Sequence, residues 1–142
     1  MIYTPLTKKA LSICFEAHKD QRDKSGAPYV FHPFHLAEQM TGEYETCVAL
    51  LHDVAEDTDT TVEDLAAAGF PPEVTDALRL LTHDPSVPYM DYVKEIGKNP
   101  IARAVKLADL AHNSDMSRLD SVDSYAEARV KKYRAAIALL EE

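Results

Sequence analysis

Helical periodicity of the apolar residues constrains this chain more than any other feature of its sequence. Near the N-terminus, apolar side chains recur three and four positions apart, at Leu6, Ala10, Ile13, Cys14 and Ala17. This spacing places them on one face of a helix, and similar patterns continue to the C-terminus. No segment shows the sustained alternation of apolar and polar residues, bounded by turn signals, that indicates a strand. The sequence therefore predicts an all-α fold.

Helix-starting and helix-breaking residues divide this pattern into about seven or eight helices. Prolines mark the expected starts of four of them: Pro5, Pro33, Pro72 and Pro100. The stretch DKSGAPY at 23–29 interrupts the first helix and is expected to form a loop. We found no internal repeat, low-complexity tract or linker. The sequence predicts one domain over residues 1–142, built as a helical bundle.

Capping signals place two further boundaries. Thr60 with Glu63 fits a capping box for the helix VEDLAAA at 62–68, and Gly69 is expected to end that helix. The last helix is predicted to run from about Ser121, with apolar residues at near-heptad spacing.

Composition and charge indicate a globular domain that does not bind nucleic acids. The 142 residues are 46% hydrophobic and 27% charged, which is typical of a globular domain with one core. The formal net charge of −9 argues against a nucleic-acid-binding surface, which requires clustered Lys and Arg. A small phosphorylated ligand is compatible with this charge, because a few local cations or a metal ion can hold it.

The cysteines and the N-terminus favour the cytoplasm. Cys14 and Cys47 lie far apart in apolar helical stretches, so we expect buried free thiols in a reducing compartment. The N-terminal residues MIYTPLTKKA lack the apolar core of a signal peptide, and no segment approaches membrane-spanning length. We therefore expect a cytoplasmic protein without a membrane partner.

In the segment LLHDVAEDTDTT, residues 50–61, an apolar run is followed directly by a histidine and four carboxylates. On a helix, His52 shares a face with Glu56, and Asp53 shares a face with Glu56 and Asp57. Like charges this close are costly unless a cation offsets them. A set of nitrogen and oxygen ligands suits divalent Mn, Fe, Co, Ni or Zn, with Mg less favoured.

Two more residues outside this segment are candidate metal ligands. His32 precedes a proline in FHPFH and is expected at a helix start, while Asp109 interrupts the apolar run AVKLADLA. A buried carboxylate needs a metal ion or a hydrogen-bond network. His35 could compete as a ligand, although a partly buried helix histidine is the favoured interpretation, and His112 fits a packing role. Lys106 suits either a phosphate contact or a pairing with acids.

The order of these residues resembles the HD superfamily of metal-dependent phosphohydrolases, in which the pattern H…HD…D recurs. The chain is more closely similar to the RelA/SpoT-type alarmone hydrolases, which remove the 3′-pyrophosphate from (p)ppGpp. The agreeing stretches are KSGAPYVFHP (24–33), LLHDVAEDTDTT (50–61), PPEVTDALRLLT (71–82) and VKLADLAHN (105–113). This resemblance implies an HD-type helical bundle and a stand-alone hydrolase domain.

The resemblance also implies the metal ligands. In this family the matching residues coordinate one divalent ion, typically Mn²⁺, and here they are His32, His52, Asp53 and Asp109. Four protein ligands leave two positions of an octahedral ion for water and a phosphate oxygen. Such an ion lowers the pKa of the bound water and offsets charge at the phosphorus under attack.

Other roles carried over by the resemblance concern catalysis and substrate binding. Glu56 and Asp57 match the acidic pair that assists the nucleophilic water, and Glu56, four residues after His52, is the first choice as proton acceptor. Asn113 matches a substrate-contacting Asn, and Lys24 matches a loop cation that contacts phosphate.

The chain departs from the family at two positions. The hydrolases usually carry Arg-Lys before the SG turn, with the Arg packed on the guanine base. This chain has Asp23 before Lys24, and Arg22, one position earlier, is the candidate substrate-binding Arg. An Arg also commonly follows the family's LHN two residues on, where this chain has Asp115. Both departures place an anion beside a site expected to bind a polyanion.

Three functions follow from these observations. The first is a Mn-dependent hydrolase of the 3′-pyrophosphate of (p)ppGpp, giving GDP or GTP and pyrophosphate. The second keeps the chemistry but acts on another phosphorylated nucleotide, which the two Asp substitutions favour. The third is a non-catalytic module that binds a nucleotide beside its metal; the presence of both Glu56 and Asp57 argues against it. In each case the partner is a small phosphorylated nucleotide rather than a nucleic acid.

Overall fold

Eight α-helices and one short 3-10 helix account for the regular structure in the residues that the computed structural model describes, 1–119 and 122–142. In chain order they are α1 (Pro5–His18), α2 (Phe31–Glu38), α3 (Glu43–Asp57), α4 (Val62–Ala67), α5 (Pro72–Leu81), α6 (Tyr89–Ile96), α7 (Pro100–Asn113), the 3-10 helix (Met116–Arg118) and α8 (Ser124–Leu140). Within these ranges the β-structure is limited to an isolated bridge between Arg22 and Pro28. The predicted all-α single domain is confirmed. None of these helices is both long enough and apolar enough to cross a membrane.

Prolines start three of the four helices where the sequence predicted such starts. Proline occupies the first turn of α1, α5 and α7, where its missing N–H would have no partner inside the helix. The exception is α2, which begins at Phe31, two residues before Pro33. His32 therefore lies in the first turn of α2, at the helix start expected for it.

The capping box of α4 lies one residue later than the sequence predicted. Thr61, not Thr60, accepts a hydrogen bond from the backbone N–H of Asp64, and Asp64 accepts one from the backbone N–H of Thr61. Glu63 thus has no part in the box. Gly69 follows the helix with a φ of +107°, a left-handed conformation that favours glycine at a helix end.

The last helix begins at Ser124, later than the predicted start near residue 121. Asp123 caps α8 by accepting a hydrogen bond from the backbone N–H of Ala126 at 2.8 Å. Ser121 itself lies outside the described residues.

The central helix of the fold is α3, which packs against α1, α2, α5 and α7. Nine consecutive residues, 46–54, are buried. Its fully buried aliphatic side chains are Val48, Leu50, Leu51 and Val54. Burying a side chain of this kind contributes about 1.5–3 kcal/mol, so α3 is held firmly on all sides. The polar residues at its C-terminal end are carried into the core with it.

Both cysteines are buried free thiols, as predicted. Cys14 lies in α1 and Cys47 in α3, and neither side chain is exposed. Burial raises the pKa of each thiol to about 12, with a further contribution from the charge of Asp53 at Cys14 and of Glu43 at Cys47.

Candidate metal centre

Three helices bring the predicted ligands together. His52 and Asp53 come from the buried C-terminal part of α3, His32 from the first turn of α2, and Asp109 from α7. All four side chains are buried, with residual exposures between 4% and 7%. Helices packed on a common core thus place four polar residues in one apolar environment, where they must satisfy one another or bind a further group.

The distances between these side chains suit a shared ion. Nε2 of His32 lies 2.9 Å from Oδ1 of Asp109, and Nε2 of His52 lies 3.2 Å from Oδ2 of Asp53. The two remaining His–Asp separations are 3.7 and 3.8 Å. Ligand atoms bound at about 2.1 Å to one octahedral ion lie about 3 Å apart, which is close to this arrangement. One ligand atom from each of His32, His52 and Asp109 lies within 4.8 Å of the others, so this cluster could bind one metal ion.

The imidazole of His52 supports metal binding most directly. Its Nδ1 donates a hydrogen bond to the backbone carbonyl of Ala49 at 2.7 Å, which leaves the lone pair of the neutral ring on Nε2. That Nε2 is buried and has no hydrogen-bond partner. A buried nitrogen without a partner, next to two carboxylates, is the arrangement expected of a metal ligand.

Electrostatics within the cluster oppose the effect of burial. Burial alone would lower the pKa of His52, but the charges of Asp53 and Asp109 outweigh it and raise that pKa to about 9. Burial would likewise raise the pKa of Asp109, yet the hydrogen bond with His32 and the charges of Lys106 and His52 hold it well below its ordinary value. Without metal, a proton on His52 therefore takes the place of the cation.

Three neighbouring side chains orient the ligands. The hydroxyl of Tyr29 donates to Oδ2 of Asp53. Nδ2 of Asn113 donates to Oδ1 of Asp109 at 3.0 Å, and Nζ of Lys106 lies 3.1 Å from Oδ2 of the same carboxylate. The acid-pairing alternative for Lys106 is the one that the structure shows. Such outer hydrogen bonds fix the geometry of metal ligands and tune their basicity.

His112 has a larger role than the packing expected from the sequence. Its Nδ1 lies 2.7 Å from Nδ1 of His32, and the two rings are stacked with an interplanar angle of 10°. When Nδ1 of His32 donates in this contact, the lone pair of the neutral His32 ring lies on Nε2, the nitrogen that faces Asp109. His35 is exposed and packs against His112 at a ring distance of 4.3 Å, outside the ligand cluster.

Glu56 and Asp57 lie at the end of α3, outside the buried cluster. Both residues are exposed, and Oε1 of Glu56 accepts a long hydrogen bond from the backbone N–H of His83 at 3.4 Å. Local desolvation and the charge of Asp53 raise the pKa of both carboxyl groups. The structure thus puts the predicted catalytic acids at the solvent side of the predicted ligands.

A cleft of about 350 Å³ opens beside the cluster. His32, Tyr29 and Asn113 line it together with cationic residues, which are Arg22, Lys24, Arg118 and Arg129. The predicted substrate residues Arg22, Lys24 and Asn113 therefore share one cavity. Arg118 and Arg129 were missed, because neither lies in a segment that resembles the hydrolases. A chain of net charge −9 thus gathers four cations around one cleft.

The two departures from the family have structural roles in turns. Oδ1 of Asp23 accepts hydrogen bonds from the backbone N–H and the hydroxyl of Ser25 and from the backbone N–H of Ala27. Oδ1 of Asp115 accepts hydrogen bonds from the backbone N–H and hydroxyl of Ser117. These hydrogen bonds stabilise the ionised form and hold the pKa of both carboxyl groups below its ordinary value, so both residues remain anions in the cleft.

An all-helical bundle with a buried His/Asp cluster beside a cleft lined by cations is the arrangement that the resemblance to the HD-type metal-dependent phosphohydrolases implied. Sequence comparison narrows this class. The MESH1 guanosine-3′,5′-bis(diphosphate) 3′-pyrophosphohydrolase of Danio rerio is 31% identical over 144 aligned positions, covering 92% of this chain and 79% of that protein. Its counterpart from Homo sapiens is 32% identical over 139 positions, with coverage of 88% and 76%. The chain belongs to this family of pyrophosphohydrolases.

Two further similarities agree with this assignment. The bifunctional (p)ppGpp synthase/hydrolase SpoT of Escherichia coli (strain K12) is 42% identical over 62 positions, which are 41% of this chain and 9% of that protein. A solved structure described as a metazoan ortholog of SpoT that hydrolyzes ppGpp superposes with a TM-score of 0.74 at 25% identity, covering 99% of this chain and 85% of that one. No protein-family model matches the sequence.

Proposed function

We propose that this protein hydrolyses the 3′-pyrophosphate of (p)ppGpp, giving GDP or GTP and pyrophosphate, with one divalent ion held by His32, His52, Asp53 and Asp109. The observation that carries the proposal is the unpartnered Nε2 of His52, which is buried beside two carboxylates. His32, in the same cluster, lines the cleft together with four cationic side chains. The relatives named above supply the substrate class.

The protein's own side chains account for most of the proposed chemistry. A bound divalent ion would lower the pKa of a water molecule and polarise the phosphoryl oxygens. Lys24, Arg22 and Arg129 would bind and orient the substrate phosphates. Asn113 and Tyr29 would hold the ligand carboxylates in position. Glu56 would accept the proton of the attacking water, and Asp57 would assist it. A carboxyl group with a raised pKa suits that task near neutral pH.

The identity of the ion is a finer part of the proposal. Two imidazole nitrogens and two carboxylates suit Mn²⁺, with Fe, Co, Ni and Zn as alternatives and Mg less favoured. We also place the protein in the cytoplasm, a proposal supported by its two buried free thiols.

A product assay tests the function. Purified protein with Mn²⁺ is incubated with ppGpp and with a panel of other phosphorylated nucleotides, and Asp53→Ala serves as the metal-site control. Pyrophosphate released from ppGpp by the wild-type protein alone is the expected result. Orthophosphate released from another nucleotide would instead support the second function, and tight nucleotide binding without turnover would support the third.

The proton acceptor gives a separate prediction. Glu56→Ala should lower kcat by about 10²–10⁴-fold, as expected for a lost general base, while Mn²⁺ still binds with unchanged stoichiometry. Steady-state kinetics and metal analysis of the same preparation check both parts. Loss of the ion from this variant would show that Glu56 is a ligand instead.

A further inference from the structure

The wall of the cleft carries a carboxylate and a guanidinium side by side. Oδ2 of Asp23, in the loop after α1, lies 3.4 Å from Nη2 of Arg118, in the 3-10 helix after α7. These residues are 95 positions apart in the chain, and both line the cleft beside the metal centre. Their side chains are 17% and 28% exposed, so both are partly desolvated and still accessible from the cleft.

Hydrogen-bonding capacity remains on both groups after their protein contacts are counted. Oδ1 of Asp23 accepts three hydrogen bonds from the loop, whereas Oδ2 contacts Arg118 alone among the described residues. Arg118 uses Nη1 to donate to the backbone carbonyl of His112 at 2.8 Å and Nη2 to face Asp23. A guanidinium has five N–H donors, so three remain, and Oδ2 has a free lone pair.

Guanine is the base whose edge fits such a pair. Its Watson–Crick edge presents an acceptor at O6 directly beside donors at N1–H and the N2 amino group. Adenine has an amino group in place of O6 and an acceptor in place of N1–H, so both its contacts would be repulsive. Hypoxanthine keeps N1–H, O6 and N7 but lacks the N2 amino group.

We propose that Asp23 and Arg118 together read the guanine base of the substrate, with Oδ2 of Asp23 accepting from the N2 amino group next to N1–H and Arg118 donating to O6. This inference rests on the proposed function. It also explains the Asp at a position where the resembling hydrolases carry an Arg: recognition of the base by its edge replaces packing on its face. The remaining cations, Arg22, Lys24 and Arg129, are then left for the phosphates.

The test compares kcat/KM for ppGpp with kcat/KM for its inosine and adenosine analogues. The wild-type protein should prefer ppGpp to the inosine analogue by about 10- to 100-fold, the range for one hydrogen bond to a charged group. Asp23→Asn keeps an oxygen for Ser25 and Ala27 but loses the anionic Oδ2. The variant should reduce the ratio of kcat/KM for ppGpp to kcat/KM for the inosine analogue to about 1–3, because the hydrogen bond from the N2 amino group is lost.

Arg118→Gln separates the second half of the pair. Guanine and hypoxanthine share O6 and N7, so this variant should lower turnover of both alike and leave their ratio unchanged. Its preference over the adenosine analogue should fall by about 10-fold or more. If Arg118 had only a structural role, its loss would lower kcat/KM for all three substrates by the same factor.

Asp115→Asn is the matched control, because it removes the same charge from the same cleft at a residue committed to Ser117. It should retain the wild-type ratios. An inosine analogue turned over as well as ppGpp by the wild-type protein, or a ratio unaltered in Asp23→Asn, would overturn the inference while the proposed function stands. Should no nucleotide be hydrolysed, the same ratios are measured as affinities by calorimetry on metal-free protein, and equal affinities there would overturn the inference as well.

Discussion

In the candidate metal centre, single hydrogen bonds determine which ring nitrogen of each histidine faces the carboxylates. The bond from Nδ1 of His52 to the carbonyl of Ala49 selects the tautomer with a free Nε2, and the contact between His32 and His112 can do the same for the second imidazole. A helix carbonyl is a rigid acceptor, so the imidazole of His52 is oriented before any ion arrives. Such preorganisation lowers the entropy lost on metal binding.

Tyr29 offers a test of this orientation at one atom. Tyr29→Phe removes the hydrogen bond to Asp53 while keeping the ring, so Mn²⁺ affinity should fall by about 10–100-fold. Titration calorimetry measures the affinity, and Tyr3→Phe, which alters an exposed tyrosine, serves as the control. An unchanged affinity would mean that Asp53 needs no support from Tyr29.

The raised pKa of His52 predicts how stability depends on pH in the metal-free protein. Because the folded pKa of about 9 exceeds the ordinary value of 6.5, protonated His52 stabilises the fold fully below pH 6.5, and this contribution is lost as pH rises through 9. Thermal unfolding with a chelator should therefore give a Tm that falls between pH 7 and pH 9.5, by about 2–8 °C for each kcal/mol lost.

A His52→Gln variant is the control for this pH dependence. It lacks the titrating imidazole, so its Tm should fall less over the same interval. Equal slopes for the two proteins would assign the effect to other groups.

At the scale of the helices, the start of α4 offers two adjacent threonines for one capping box. Thr60 and Thr61 are adjacent, and each has an acid three residues later, so both registers fit the sequence. Thr61→Ala should lower the free energy of unfolding by about 1 kcal/mol, because Asp64 loses its N-cap partner. Thr60→Ala should lower the free energy of unfolding by clearly less than Thr61→Ala. Urea denaturation of the two variants makes the comparison, and equal losses would contradict the observed register.

The helices themselves were predictable because each depends on local signals. Apolar spacing, prolines in first turns and the glycine at φ +107° act within a few residues, and the sequence displays all three. The buried position of Asp109 was also visible, since a carboxylate interrupts an apolar face. The sequence did not distinguish between two equivalent caps, nor did it show that α2 begins before its proline.

Contacts across the chain were predictable only where a resemblance supplied them. The convergence of His32, His52, Asp53 and Asp109 was expected from the resemblance to the hydrolases, while the spacing within residues 50–61 indicated only a local cation site. Tyr29 and His112 were missed as positioning residues, because their partners lie 24 and 80 positions away. The pairing of Arg118 with Asp23 was also missed, because it spans 95 positions and no local pattern indicates it.

For the molecule as a whole, the candidate metal centre links α2, α3 and α7. An ion that binds the folded chain alone stabilises it by about 2.7 kcal/mol at 100 times its Kd. Added Mn²⁺ should therefore raise Tm, and a chelator should reverse the change. Differential scanning calorimetry of the wild-type protein and of Asp109→Asn checks this. A rise of equal size in the variant would show that the stabilising ion binds elsewhere.

The two buried thiols allow the separation of α1 from α3 to be measured by chemical modification. Because burial raises the pKa of each thiol to about 12, both are protonated at pH 7, and neither sulfur reaches solvent in the folded state. An alkylating reagent would accordingly modify Cys14 and Cys47 at the rate at which α1 and α3 come apart. Mass spectrometry of the alkylated protein would then time that separation without any introduced label.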